Sequence, residues 1–208
     1  MSLTTLYLYT VGATAALTLT AFALAVRRRT AGPFTAAQLA TLSVLVCLMH
    51  VSVMPWRIGL AKAPGVDALI FSIPFTTCLV LGLRLVPRPG AATLLIVGQG
   101  ILGQFVGSGP NPVWWPYFLA MAAVVELIVV LSGRRLGTLA AALGIGAARA
   151  AVGYSYMYLV MSPFVWKHFY PAWYFGAKLG LGVVGACIGA VVAHRLAPVI
   201  RDATEAVA

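Results

Sequence analysis

The apolar positions of this chain neither alternate nor keep to one helical face. They run on for helix-length stretches, broken only by short polar or Pro- and Gly-rich punctuation. The runs cover residues 3–26, 36–58, 67–86, 91–107, 113–132, 136–161 and 170–194. A helix that crosses a bilayer takes about 20 predominantly apolar residues, so the pattern predicts about seven membrane spans and leaves almost no room for a soluble domain. The breaks carry turn chemistry: Pro87-Arg88-Pro89-Gly90 in one place, Gly107-Ser108-Gly109-Pro110-Asn111-Pro112 in another. The first run lacks the basic leader of a signal peptide, although Ala23-Leu24-Ala25 resembles a cleavage site, and it is expected to remain as a helix.

Composition strengthens this picture: 62% of the residues are hydrophobic and only 9% are charged, far from the charged surface of a soluble domain. The expected class is an all-α integral membrane protein. The net charge of +10 raises the question of nucleic acid, but the cations sit at the ends of apolar runs and form no single face or tail. Topology accounts for them, because cytoplasmic loops are enriched in Arg and Lys. With Arg27, Arg28 and Arg29 placed inside, Arg84, Arg88, Arg134, Arg135, Arg195 and Arg201 fall on the same side. Arg57, Lys62 and Lys167 fall outside, and Arg149 and Lys178 lie within spans. The expectation is a multi-pass protein of the cell (inner) membrane, with its N-terminus outside and its C-terminus cytoplasmic.

No His or Cys pair has metal-ligand spacing, and there is no phosphate-binding glycine loop or nucleophile elbow. Neither catalysis, nor a metal, nor a cofactor is expected of the chain itself. Cys47, Cys78 and Cys187 all lie inside apolar runs and read as small buried hydrophobes. Candidate chemistry therefore rests on ionisable groups inside the spans, which are costly in lipid and face a cavity or one another. Arg149 falls near the middle of the sixth run, and two readings stand: an ion pair with Glu126 on the preceding helix, or a group facing a ligand. Lys178 lies in the outer half of the seventh run, one turn from Tyr174. His50, Gln99, Gln104, Tyr154, Tyr156 and Tyr158 fall at similar depth, giving an aromatic, hydrogen-bonding and net cationic set suited to an organic anion.

Aromatics crowd the outer loops, including Trp56, Trp114, Trp115, Tyr117, Trp166, Trp173 and Tyr174, and fit a binding mouth or an interfacial belt. Small residues recur four apart at Ala36 and Ala40, Gly103 and Gly107, Gly176 and Gly180, and Gly185 and Gly189, a spacing that lets helices approach closely in lipid.

The stretch Gly65-Val66-Asp67-Ala68-Leu69-Ile70-Phe71-Ser72-Ile73-Pro74-Phe75, followed by Pro87-Arg88-Pro89-Gly90-Ala91-Ala92 and Gln99-Gly100-Ile101-Leu102-Gly103, resembles the substrate-binding S components of energy-coupling factor (ECF) transporters. Similarity extends over residues 35–195. The resemblance implies a six-helix core over residues 31–198, preceded by one extra N-terminal helix within residues 1–30 that most members lack, and followed by a short cytoplasmic tail, 199–208. It also implies that Ala36 and Ala40, in the family's Ala-xxx-Ala position, dock on a transmembrane coupling subunit, with two ATPase subunits as separate chains. The function implied is capture of a vitamin or similar small nutrient in an outward-facing pocket, with release inside. Candidate pocket residues are His50, Arg57, Gln104, Trp115, Arg149, Tyr154, Tyr158, Trp173, Tyr174 and Lys178. Two other functions compatible with the residues are a structural or accessory subunit of a larger membrane complex, and a haem-binding redox subunit using His50 with His168.

Overall fold

The computed structural model describes residues 3–27, 32–57, 65–109 and 111–205. Among these residues there are seven α-helices, α1 (Leu3–Arg27), α2 (Ala36–Arg57), α3 (Val66–Leu85), α4 (Ala91–Gly103), α5 (Trp115–Ser132), α6 (Leu139–Tyr156) and α7 (Ala172–Glu205). No strand occurs among the described residues. Two helices widen into π-helical turns at the same end of the molecule, α4 over Gln104–Ser108 and α6 over Met157–Val165. Arg28, Arg29 and Lys62 lie outside the described residues, as do the side chains of Arg57 and Arg134.

The helices begin and end where backbone chemistry requires. Gly65 and Gly90 precede α3 and α4 with φ of 87° and 94°, a left-handed conformation that costs a side-chain-bearing residue about 1–2 kcal/mol. Thr138 caps α6 by accepting from the Ala141 amide at 3.3 Å. Residues 133–137 form a 3-10 turn, so α6 starts three residues later than the apolar run suggested. At the other end of the chain, α7 continues through Pro198 to Glu205, so the expected tail is helical over residues 199–205. Arg201 ties this extension to the end of α3 by donating to the Arg84 carbonyl at 3.1 Å.

α3 and α7 form the closest pair. A Cβ on Gly185 would lie 2.2 Å from the Leu69 carbonyl oxygen, and one on Gly189 would lie 2.3 Å from that of Ile73. Thr77 bridges the same seam, its hydroxyl donating to the Gly189 carbonyl at 3.2 Å. Going around the bundle, α2 neighbours α3, α3 neighbours α7, then α6, α5 and α4 follow, and α4 returns to α2. α1 packs against α5, through Ala21, Ala25 and Val130. The interior holds Phe75, Leu79, Leu83, Leu95, Ile96, Met121 and Ile145.

The exterior is apolar as well. Val184, Ile188, Val192 and Leu196 form an exposed ridge along α7, and Val44, Leu48 and Val51 do so on α2. Large exposed apolar ridges would be a liability in water and are ordinary against lipid. α3, α5 and α7 are each long and apolar enough to cross a membrane. The described arginines outside the interior gather at one end: Arg84 donates to the His194 ring and carbonyl, and Arg88 to the Pro33 carbonyl. A cavity of about 610 Å³ opens at this end, between Arg84, Pro87, Pro89 and Arg201, and two that adjoin one another lie toward the other end.

Candidate functional site

Two adjoining chambers open between α3, α4, α5, α6 and α7 at the arginine-poor end. The smaller, of about 170 Å³, is walled by Asp67 and Phe71 of α3, Tyr117 of α5, Arg149 and Tyr154 of α6, Tyr158 of its π-helical turn, and Lys178 of α7. The larger, of about 380 Å³, is walled by Phe71, Phe75, Gln99, Gln104, Trp114 and Phe118, among others. Phe71, Tyr117 and Met157 belong to both walls, so the chambers meet across these three side chains. Helix packing makes this space possible. Gly100 lets the Phe118 ring come against α4, and Gly182 admits the Tyr154 ring against α7, where a Cβ would lie 2.1 Å from it.

The charges in the smaller chamber do not all pair. Lys178 forms a salt bridge with Asp67 and lies 5.2 Å from the Tyr174 ring centre. Asp67 remains 39% exposed at its side chain, so the chamber communicates with the surface there. Arg149 is 2% exposed. Its guanidinium carbon lies 3.7 Å from the Phe75 ring centre and 5.5 Å from that of Phe71. Among the described residues no hydrogen bond or ion pair reaches it, and its Nε is buried without a partner. Cation–π contact supplies about 0.5–2 kcal/mol, well short of the several kcal/mol of effective cost for a buried ion. The local charge is therefore one positive group in excess of one neutral pair.

The neutral groups are held in place. The Tyr154 hydroxyl donates to the Ala68 carbonyl at 3.0 Å, which leaves Ser72 to donate to Tyr154 at 3.1 Å. Above Lys178 an aromatic cluster gathers: Tyr170 stacks on Tyr174 with centroids 4.8 Å apart, and Tyr158 meets Tyr170 edge-on at 5.3 Å.

Of the sequence candidates, the structure brings Arg149, Tyr154, Tyr158 and Lys178 into one chamber, and Gln104 into the next. Tyr174 reaches the site through its contact with Lys178. Trp173 does not line either chamber; it is 65% exposed. Trp115 is displaced by its neighbour, because one helical step of about 100° turns Trp114 rather than Trp115 toward the larger chamber. His50 is buried on α2 but lines neither chamber. The Arg57 side chain is outside the described residues. Ala36 and Ala40 are exposed at the start of α2.

The ion pair between Glu126 and Arg149 is not formed. Glu126 instead accepts from the backbone amides of Gly90 and Thr93 and from the Thr93 hydroxyl, closing the N-terminus of α4. The first amides of a helix lack internal partners and carry positive dipole charge, so a buried carboxylate is well placed there. The acid that does serve the cavity is Asp67, which in the hydropathy pattern marks only the start of a run. A signal was present: it is an acid at the edge of an apolar helix, with an intramembrane lysine in need of a partner.

Among the described residues, no three His, Cys, Asp or Glu side chains group in a way that would hold a metal ion. Compared with protein-family models, curated proteins and solved structures, the chain matched none of them.

Proposed function

We propose that this chain is the substrate-binding subunit of a membrane uptake system, capturing a small organic nutrient in the paired chambers. The observation that carries this reading is Arg149: a buried guanidinium that has no ionic or hydrogen-bonding partner among the described residues, its Nε enclosed and unpaired, lining a chamber beside Lys178 and Asp67. A charge so placed is costly unless something occupies the space, and a bound anion supplies that compensation. The likeness to ECF S components is consistent with the way α2 to α7 close on one another while α1 packs on α5. In this reading α2 to α7 are a six-helix core, and the arginine-rich end faces the cytoplasm. Ala36 and Ala40 dock the coupling subunit, and ATP hydrolysis belongs to separate chains.

The test is native mass spectrometry of the protein purified gently from its own host. A nutrient-sized adduct with co-purifying ATPase and coupling chains is the expected result. No adduct, with a different membrane complex attached, would replace this reading with that of a structural subunit.

A further inference from the structure

We infer that the ligand is a small heteroaromatic monoanion, with its carboxylate on Arg149 and a ring acceptor on the amide of Gln104. This inference rests on the binding reading above and specifies its substrate class.

Buried polar atoms are paired in more than about nine cases in ten, and each exception costs about 1–3 kcal/mol. Three such exceptions fall on residues lining the two adjoining chambers: Arg149 Nε, Asp67 Oδ1 and Gln104 Nε2. Together they outline a complementary molecule. Arg149 offers a planar donor fork, the geometry that matches a carboxylate in bidentate fashion. Because Lys178 and Asp67 neutralise one another, a single negative charge on the ligand balances the chamber. Asp67 Oδ1 accepts an N–H or O–H from the ligand or from a water that it carries.

The orientation of Gln104 is fixed by the backbone. The Asn111 amide donates to Gln104 Oε1 at 3.1 Å, so the other end of the side chain is the NH₂ group. An NH₂ group there calls for an acceptor on the ligand, such as a ring nitrogen or carbonyl. The larger chamber presents Phe71, Phe75, Trp114 and Phe118, aromatic walls against which a flat ring packs. Aromatic walls favour such a ring through stacked and edge contacts.

The experiment is isothermal titration of the full chain in lipid nanodiscs with three probes. Nicotinate has both a carboxylate and a ring acceptor, benzoate lacks the ring acceptor, and nicotinamide lacks the charge. Nicotinate is expected to bind about tenfold more tightly than benzoate, the worth of one hydrogen bond, and about a hundredfold more tightly than nicotinamide. Gln104→Leu should collapse the nicotinate-to-benzoate ratio to about one, and Arg149→Gln the nicotinate-to-nicotinamide ratio. Arg149→Lys keeps the charge but not the fork, and should retain the preference for acids at lower affinity. Each ratio is measured within one variant, which separates recognition from loss of fold.

Equal binding of nicotinamide and nicotinate would overturn the inference, as would ratios that neither substitution moves. If no probe binds, the adduct found by native mass spectrometry decides. A larger heteroaromatic acid supports the inference, whereas a neutral or cationic adduct overturns it while leaving the binding subunit intact. Absence of any adduct removes both.

Discussion

Arg149 was conspicuous in the sequence because a cation midway along an apolar run has no route to either membrane surface. Its surroundings were not legible, since counting residues from a helix end gives depth but not the direction a side chain faces. That is why the sequence leaves a pair with Glu126 and a ligand-facing Arg149 both open, although Glu126 in fact points across to the first turn of α4. The two residues now make opposite predictions. Arg149→Met removes an uncompensated buried charge and should raise the stability of the ligand-free protein, by roughly 1–3 kcal/mol, while abolishing binding of anionic ligands. Thermal unfolding in detergent followed by tryptophan fluorescence measures the first effect and titration the second; a fall in stability would mean that Arg149 is structural. Glu126→Ala leaves three donors without an acceptor and should cost about 1–3 kcal/mol. It should also speed hydrogen exchange at the Gly90 and Thr93 amides; unchanged exchange there would show that the carboxylate does not hold the helix end.

The helices themselves were readable from run length, because in lipid every backbone donor and acceptor must be satisfied within the segment. The ends were less readable. Thr138 as a cap and the 3-10 turn before it are set by local hydrogen bonds that leave no mark on hydropathy. The small-residue spacing was legible, but not which pairs bury. The structure separates them: Gly185 and Gly189 seat against α3, whereas a methyl group on Gly176 or Gly180 would meet no atom within 4 Å. Gly185→Ala forces α7 away from the Leu69 carbonyl and should destabilise by about 1–3 kcal/mol. Gly176→Ala should change stability by no more than about 0.5 kcal/mol. Comparing the two by thermal unfolding tests the seam, and equal effects would contradict it. If Gly176→Ala leaves the isolated chain intact yet prevents co-purification of other subunits, that open face belongs to a partner.

For the whole molecule, lipid rather than water sets the design: both interior and exterior are apolar, and what distinguishes the interior is its few polar groups. The charged and amide groups that line the chambers come from α3, α4 with its π-helical turn, α6 and α7, and the larger chamber adds Trp114 just before α5 and Phe118 within it. α1 contributes to neither chamber wall, and its described contacts run along α5 through Ala21, Ala25, Leu24 and Leu127. The opposite face of α1 exposes Leu8, Leu19 and Phe22. A helix attached by one seam, with a lipid-compatible exterior, is separable from the site, because effects of groups without shared partners add within about 0.5 kcal/mol. Removal of residues 1–30 should therefore leave a chain that inserts, folds and binds ligand with affinity within about twofold of the full protein. Titration of the shortened chain in nanodiscs, with circular dichroism to confirm its helical content, is the measurement. Loss of binding with helical content preserved would show that α1 holds α5, and with it Tyr117, in the position the cavity requires.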